Sequence, residues 1–270
     1  MLRGRKIRFS HALALNDPFE LKPNITGIAD EDHIEKTFDE IWPEVFAEEL
    51  QKIPAELRKL IPEDTLRRLA AAAAPSIRQN IQAMTAAIGP PLRKSMESSF
   101  DKLLGTLCLS EHDRSLPMWA HYADSHRGFL IEFDSDSPFF DQRKSQDDDL
   151  RHLRRVTYSE KRPSISLVQV KDFSAFITKG TDWAYEAEWR MTVALSDATQ
   201  IIGEGPEAIH LFAFPPEAVT SVVLGCRMTD ENREKIRACL LDNVAYKHVR
   251  ILQADVDHQD YALRLTATDA

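Results

Sequence analysis

The spacing of apolar residues changes along this chain, and each spacing predicts a type of secondary structure. Alternation from Gly128 to Asp134 predicts a strand, because Phe129, Ile131 and Phe133 fall on one side of it. Similar short runs predict strands at Lys6–Ser10, Thr106–Ser110, Val156–Ser159, Glu188–Leu195, Ile209–Phe214, Ser221–Gly225 and His248–Leu252. Helical spacing predicts helices over Leu116–His126 and Thr229–Leu241, with Thr229 as the N-cap. We expect the charged stretch Asp141–Arg155 to be a loop or a short helix.

The stretch from Asp30 to Leu104 has helical spacing throughout, as in Ile34, Phe38 and Ile41. Prolines at positions 43, 54, 62, 75, 90 and 91 punctuate it. Because proline is tolerated in the first turn of a helix, we predict four or five short helices, each starting near a proline. The chain is therefore expected to be a single α+β domain over residues 1–270. It would have an all-helical insert at 30–104 and a mixed core at 105–270, built on a central, mostly antiparallel sheet.

Composition limits the classes of partner. The chain has 270 residues, of which 34 are Lys or Arg and 43 are Asp or Glu, so its formal net charge is −9. General binding to nucleic acids or to anionic membranes is not expected, because those surfaces attract basic faces. No apolar run approaches the ~20 residues that a membrane span requires. Three widely spaced cysteines indicate no disulfide framework, which favours a cytoplasmic location.

The common motifs of catalysis and metal binding are absent. The sequence contains no Walker phosphate loop, no G-x-G-x-x-G, no G-x-S-x-G, no H-E-x-x-H and no C-x-x-C, so we expect no metal site. Three short stretches remain that combine polar groups with large aromatic side chains.

The first stretch is Asn16-Asp17-Pro18-Phe19-Glu20. It can be a structural turn, in which Asn and Asp bond their own backbone and Phe19 anchors the turn in the core. Alternatively, Asn16, Asp17 and Glu20 form the polar rim of a ligand pocket.

The second stretch runs from Leu116 to Gly128. On a helix, Trp119, Tyr122, Ala123 and His126 share one face, while His121 lies with Asp124 and Ser125 on another. The stripe can be ordinary core packing. In the functional interpretation, Trp119 and Tyr122 wall a flat ligand ring and His121 takes part in chemistry.

The third stretch runs from Asp182 to Arg190. If it is extended from Glu186, then Glu186, Glu188 and Arg190 point to one side and Trp189 points to the other, toward the core. This can be an edge strand with a Glu/Arg ladder facing solvent. Alternatively, the two carboxylates face a cleft, with Arg190 orienting one of them, and can stabilise positive charge on a ribose carbon.

Together these stretches resemble the bacterial proteins grouped as domain-of-unknown-function family 2971. The resemblance rests on "IRFSHALALNDPFE", on "CLSEHDRSLPMWAHYADSHRGFLIEFD" and on "WAYEAEWRM", in that order and spacing. It covers roughly Ile7 to Leu195, with the helices from Asp30 to Leu104 as its variable part. The family's name states no activity.

A more distant similarity connects the chain with ADP-ribosyltransferase folds, in which a late strand carries a catalytic Glu-x-Glu. Glu186-Ala187-Glu188 matches that motif. The likeness implies NAD as cofactor, Glu188 holding a ribose hydroxyl, and Trp119 or Tyr122 walling the ring. The chain departs from the pattern at its start, where Met1–Lys6 leaves no room for the usual N-terminal strand. Either the start is truncated or the likeness fails there.

Two function classes therefore stay open. The first is a non-catalytic module that binds a small molecule or nucleotide, or serves as a toxin or defence accessory. The second is an NAD-using transferase with Glu188, Glu186 and His121 as catalytic residues and Asn16, Asp17, Glu20, Trp119, Tyr122 and Arg190 as ligand-binding residues. Oligomeric state and substrate are not specified by the sequence.

Overall fold

The computed structural model describes residues 1–268, which contain both helices and strands. The helices are α1 (Glu31–Lys52), α2 (Ala55–Arg58), α3 (Glu63–Leu103), α4 (Leu116–Tyr122) and α5 (Asp230–Leu241). The strands are β1 (Lys6–Phe9), β2 (Asn24–Gly27), β3 (Leu104–Ser110), β4 (Phe129–Phe133), β5 (Arg154–Arg155), β6 (Thr157–Ser159), β7 (Ser164–Ser166), β8 (Thr178–Gly180), β9 (Glu188–Ala194), β10 (Gln200–Ile202), β11 (Ile209–Ala213), β12 (Val219–Leu224), β13 (Arg250–Val256) and β14 (Leu263–Ala267). The α+β prediction is confirmed.

The chain divides into two compact units. The first unit comprises residues 1–21, residues 99–161 and the chain from Phe176 onward. The second comprises Lys22–Ser98 and Arg162–Ala175, and so contains α1, α2, most of α3, and the parallel pair of β2 and β7.

The predicted helical segment is helical, but its division at prolines is wrong. Pro54 and Pro62 do lie at or just before the starts of α2 and α3. Pro43 instead lies inside α1, and Pro75, Pro90 and Pro91 lie inside α3. A proline inside a helix costs about 3 kcal/mol, so contacts elsewhere must offset it. Pro43 and Pro75 line the same apolar groove between α1 and α3.

The ion pairs of Arg78 join α1 to α3. This side chain lies 3.1 Å from Glu35, also pairs with Asp39, and its guanidinium lies 5.0 Å from the centre of the Phe38 ring. Single surface pairs contribute little, but a shared, partly buried arginine with an aromatic contact contributes more.

Strand pairing in the first unit is mostly antiparallel. The sheets have the orders β1-β11-β10, β14-β13-β12-β4, β3-β9-β5 and β6-β8, of which only β12–β13 and β6–β8 pair in parallel among residues 1–268. The apolar sides of β1, β3, β9 and β12 pack into one core that includes Phe9, Leu107, Met191 and Val222. The helix predicted at Thr229–Leu241 is confirmed, and Thr229 accepts a hydrogen bond from the Asn232 amide as its N-cap.

The predicted helix at Leu116–His126 is shorter than expected. It ends at Tyr122, because Asp124, Ser125 and His126 adopt φ of 47°, 53° and 69°. The left-handed conformation costs a non-glycine residue about 1–2 kcal/mol. Backbone hydrogen bonds stabilise this turn, from His126 N to Trp119 O and from Gly128 N to Ala123 O. The rings of Trp119 and His126 still stack, with centres 6.3 Å apart.

Candidate functional site

Strand β9 is the centre of its sheet, not an edge. It pairs with β3 on one side and with β5 on the other, and β5 comes from the charged segment that was expected to be a loop or short helix. Both faces of β9 are covered. Met191 and Val193 pack in the apolar core, while Glu188 and Arg190 on the other face are 4% and 2% exposed. The prediction of a Glu/Arg ladder facing solvent is wrong.

Glu186 is not extended together with Glu188. It ends a short 3-10 helix, Thr181–Glu186, and Ala187 follows in the left-handed region with φ 43° and ψ 56°. This turn brings the carboxylates of Glu186 and Glu188 to the same cation although they lie on different elements. The backbone carbonyl of Glu186 accepts a hydrogen bond from Ser110 Oγ at 2.6 Å, which ties the turn to β3.

Arg190 joins the first predicted stretch to the third. Its Nε and Nη2 donate to the two oxygens of Glu188 at 2.7 and 2.9 Å. Nη2 also donates to Oε1 of Glu20 at 2.7 Å, and Nη1 lies 2.5 Å from Oε2 of Glu20. A buried arginine therefore holds two carboxylates that are 168 residues apart in sequence.

Lys179 is the second cation of this site, and sequence reasoning missed it. Its Nζ lies 2.6 Å from Glu186, 3.1 Å from Glu188 and 3.5 Å from Glu20, and it is 4.5 Å from the centre of the Trp183 ring. The side chain is only 6% exposed. The one available signal was chemical: several carboxylates predicted to converge need more than one cation if they are buried. We call Glu20, Lys179, Glu186, Glu188 and Arg190 the charge network.

The charge network contains three carboxylates and two cations, and their pairing shifts the pKa values of Glu188 and Lys179. Burial acts to raise the pKa of Glu188, but Arg190 and Lys179 outweigh it and hold this pKa below its usual range. Burial likewise acts to lower the pKa of Lys179, but Glu188, Glu186 and Glu20 together raise it. Glu188 and Lys179 are thus held in their charged forms by their partners in the network.

Tyr122 connects the charge network to solvent. Its hydroxyl donates to Oε1 of Glu186 at 2.6 Å and accepts from Asn16 Nδ2 at 3.3 Å. The side chain of Tyr122 is 51% exposed. Burial and the bond to Glu186 raise the pKa of Tyr122, so the phenol stays protonated as the donor. The structure therefore brings together Asn16, Glu20, Tyr122, Glu186, Glu188 and Arg190 from all three predicted stretches.

Other predicted residues lie outside this network. Asp17 is buried and accepts a hydrogen bond from the Phe19 amide at 2.9 Å, which is the turn chemistry of the structural interpretation. Phe19 itself is 56% exposed, so its expected anchoring role is wrong. His121 is exposed, and within residues 1–268 no hydrogen bond or ion pair joins it to the charge network. Its ring lies at a steep angle to that of Tyr122, with the two ring centres 6.4 Å apart.

Trp119 is more buried than Trp189. Trp119, expected as the wall of a pocket, is 2% exposed and packs with Val223, Ala254 and Leu263, and it also lines the cleft described in the next paragraph, as Tyr122 does. Its Nε1 donates to the carbonyl of Asp113 at 2.7 Å. Trp189, expected in the core, is only half-buried, and its Nε1 donates to Glu111 at 2.7 Å.

A cleft lies beside the charge network, within the first unit. Its volume is about 970 Å³, and its lining comes from β1, β3, α4, β4 and the loop after β3. Its apolar lining residues include Leu107, Leu109, Met118, Phe129, Ile131 and Phe133. Its charged side chains are Arg8 and three carboxylates, Glu111, Asp113 and Glu132. Each carboxylate also lies within 4 Å of an arginine outside the lining, namely Arg155, Arg114 and Arg250 in that order. We call this feature the cleft.

Glu132 is the most constrained carboxylate of the cleft. Burial and the nearby charge of Asp113 raise the pKa of Glu132, against the opposing effects of Arg250, which lies 3.8 Å away, and of Arg114. Ser221 Oγ donates to the same carboxylate. A cationic group that entered the cleft would relieve the repulsion between Glu132 and Asp113.

No group of three or more His, Cys, Asp or Glu within residues 1–268 is placed to hold a metal ion. Of the helices that the structure describes, none is long and apolar enough to cross a membrane. All three cysteines are unpaired.

Residues 118–191 match the family described as "Protein of unknown function (DUF2971)". The matched segment begins in α4 and ends in β9, and so contains Tyr122, Lys179, Glu186, Glu188 and Arg190. The match supports the resemblance drawn from the sequence. No curated protein and no solved structure matches the chain.

Proposed function

We propose that this protein is a non-catalytic binding module that holds its ligand in the cleft. The observation that carries the proposal is the combination of an apolar lining with three carboxylates in one concave site. Ligand sites are concave, mostly apolar and carry a few polar groups that fix orientation. The charge network, in this proposal, is the rigid support behind the cleft and does not react.

The chemistry of the cleft favours a ligand that combines an apolar part with a positive charge. Glu132 and Asp113 offer partners for a cation, and Phe129 and Ile131 offer apolar contact. An anionic nucleotide would place its phosphates among these carboxylates, at an electrostatic cost. Of the two ligand classes expected from the sequence, the cleft therefore disfavours a nucleotide.

The transferase alternative requires Glu188 to reach a ribose. Both oxygens of Glu188 are already bonded by Arg190, and one also by Lys179, at 4% exposure. NAD would have to displace buried ion pairs before any reaction, which disfavours this alternative. The cytoplasmic location and the toxin or defence role stay predictions.

A matched pair of probes tests the proposal. Tryptamine and indole-3-propionate share one ring and differ in the sign of their charge. We expect tryptamine to raise the melting temperature and indole-3-propionate to have little effect, since only the bound native state is stabilised. Glu132→Gln should weaken tryptamine binding about tenfold, because a hydrogen bond to a charged group contributes about 1.5 kcal/mol.

Glu204→Gln is the control variant, since Glu204 is exposed and outside the cleft lining. It should bind tryptamine as the wild type does. The proposed site would be contradicted if the two probes bound equally well. It would also be contradicted if tryptamine bound the Glu132→Gln variant as tightly as it binds the wild type. Incubation with NAD should release no nicotinamide above the buffer background. Nicotinamide release that is lost in Glu188→Gln would overturn the non-catalytic proposal and establish NAD cleavage that depends on this glutamate, with water or another nucleophile accepting the ADP-ribosyl group.

A further inference from the structure

Strands β1 and β3 meet at one point and then separate. Ser10 and Thr106 exchange two backbone hydrogen bonds, of 2.9 and 2.8 Å. Beyond this bridge the strands do not pair, and Arg8 of β1 and Cys108 of β3 both line the cleft. The cleft therefore begins as a gap between two strands that run apart from a shared bridge.

The backbone of β3 directs unpaired groups into this gap. In an antiparallel strand the N–H and C=O groups of alternate residues point to opposite edges. The backbone N–H and C=O of Thr106 point away from β9, because they bond Ser10. The backbone groups of Cys108 and Ser110 therefore point the same way. The hydrogen bond from Val156 N to Glu188 O agrees with this register. It shows that the backbone carbonyl of Glu188 points toward the β5 side of β9, so that the backbone groups of alternate β9 residues, such as Trp189, are the ones that bond β3. Among the residues that the structure describes, no backbone hydrogen bond occupies these groups of Cys108 and Ser110.

A second open edge lies on another side of the cleft. β4 is the last strand of its sheet, with β12 as its pairing neighbour in the described part of the chain. All five residues of β4 are half-buried, and all of them line the cleft. Unpaired strand edges are templates for the addition of another strand, and apolar surroundings raise the cost of leaving them unpaired.

The side chains around these edges suit an extended chain. Leu107 and Leu109 of β3 and Ile131 of β4 supply apolar contact, while Asp113 and Glu132 supply negative charge. A strand alternates its side chains between two faces, so one bound strand can present apolar groups to one side and a cation to the other. Recognition of this kind takes affinity from main-chain hydrogen bonds and specificity from the side-chain contacts.

We infer that the cleft receives an extended segment of another protein, which adds as a strand to the open edge of β3 and places a Lys or Arg beside Glu132 and Asp113. This inference rests on the proposed function, because it names the occupant of the same cleft. It differs from that proposal in requiring main-chain hydrogen bonds to Cys108 and Ser110.

Backbone methylation of a peptide tests the main-chain requirement. The probe is the acetylated and amidated peptide Thr-Val-Lys-Val-Thr, compared with its Glu counterpart at the central position. Two further probes carry N-methyl groups, one on both Val residues and one on Lys and the second Thr. We expect the Lys peptide to bind and the Glu peptide to bind at least tenfold more weakly. At least one N-methylated peptide should lose about tenfold or more in affinity, because N-methylation removes the donors of one peptide edge.

A protein variant tests the same edge from the other side. Cys108→Pro removes the outward N–H of Cys108 but no backbone hydrogen bond to β9, and proline is tolerated at strand edges of this kind. Cys108→Ala is its control, because both variants lose the hydrogen bond between the thiol and Glu188 and only the proline variant loses the N–H. We expect the proline variant to fold and to bind the Lys peptide at least tenfold more weakly than Cys108→Ala does. The N-methylated peptides decide the question even if this variant does not fold.

The outcomes separate the two proposals. Binding of tryptamine with no binding of the Lys peptide overturns the strand inference and leaves the proposed function intact. Equal binding of all N-methylated peptides also overturns the inference, since side chains alone would then suffice. A stable dimer that the Lys peptide does not dissociate, with its contact at β3, would overturn it in favour of a second copy of this chain. If neither tryptamine nor any of the peptides binds, both proposals are overturned.

Discussion

Replacing Arg190 with methionine is expected to lower the free energy of unfolding by about 3–5 kcal/mol. The substitution leaves Glu20, Glu186 and Glu188 buried with Lys179 as their single cation in the charge network. Removing one partner of a buried ion pair costs this much because the remaining charge is neither solvated nor paired. Arg155→Met is the matched control: this arginine is 65% exposed, so its loss should change stability by less than about 0.5 kcal/mol.

The numbers of carboxylates and cations predict that Glu188→Gln destabilises the wild type but stabilises the Arg190→Met variant. In the wild type this substitution leaves two carboxylates and two cations, and Arg190 keeps Glu20 as its partner. We expect a loss of about 1–2 kcal/mol from the weakened hydrogen bonds. In the Arg190→Met background the same substitution removes one of the excess carboxylates and should stabilise the protein. A Glu188→Gln variant that is destabilised equally in both backgrounds would contradict the charge network as described.

Urea unfolding can report on the first unit alone. Trp119, Trp183 and Trp189 lie in that unit, while Trp42 lies in the other, so Trp42→Phe gives a background in which tryptophan fluorescence follows only the first. Phe at position 42 keeps an aromatic ring against Phe38.

The pH dependence of stability follows from the directions of the pKa shifts. The pKa of Glu188 is depressed in the folded state, so its contribution is present above its ordinary value of 4.5 and is lost as the pH falls through the folded value. The pKa of Lys179 is raised, so its contribution is complete below its ordinary value of 10.5 and is lost only as the pH rises through the higher folded value.

Arg190→Met should reverse the way in which the free energy of unfolding depends on pH below pH 8. The three remaining carboxylates repel one another, so one of them takes up a proton more readily in the folded than in the unfolded state. The stability difference between wild type and variant should therefore shrink as the pH falls from 8 to 5. A difference that stays constant over this range would show that the carboxylates are not coupled.

Replacing Gly225 with alanine is the second substitution for which we expect a large effect. Gly225 follows β12 and lies against the turn between α4 and β4. A Cβ at this position would lie 2.6 Å from the carbonyl oxygen of Gly128 and would also contact that of His126. Both carbonyls are fixed by backbone hydrogen bonds, to Gly225 N and Arg227 N respectively, so neither can move freely.

We expect Gly225→Ala to cost about 3 kcal/mol, since overpacking against backbone cannot be relieved by a rotamer change. It should also weaken tryptamine binding, because the displaced turn joins Tyr122 to the start of β4. Gly4→Ala is the control, since no heavy atom lies within 4 Å of its added Cβ. Unchanged stability of Gly225→Ala in urea unfolding would show that this turn is not held as tightly as these contacts indicate.

Local patterns predicted much of the fold because the elements concerned carry their own signals. Alternation identified β4, and a capping threonine with acidic residues in the first turn identified α5. Proline was misleading in α1 and α3, because Pro43 and Pro75 are accommodated by packing between two helices and not by a helix start. Periodicity also failed after Tyr122, where a left-handed turn replaces the last turn of the predicted helix.

The candidate site was predictable only in part. The stretches around Glu20, Tyr122 and Glu188 were identified because they combine charged and aromatic residues, and these side chains do converge. Lys179 was not identified, because a single lysine in a three-residue strand has no local signal. Of the cleft, only Trp119 and Tyr122 were expected as pocket walls, and both line it. Its strand edges were not identified, since which edges remain unpaired is a property of the whole sheet arrangement.

Methyl chemical shifts during a tryptamine titration test the central claim most directly, namely that the ligand enters the cleft while the charge network remains a structural support. Met118 and Ile131 line the cleft, whereas Ile177 is buried and precedes the strand that carries Lys179. We expect the methyl signals of Met118 and Ile131 to shift in a saturable way and that of Ile177 to stay unchanged. Saturable shifts at Ile177 with none at Met118 or Ile131 would contradict the claim and place the ligand at the charge network.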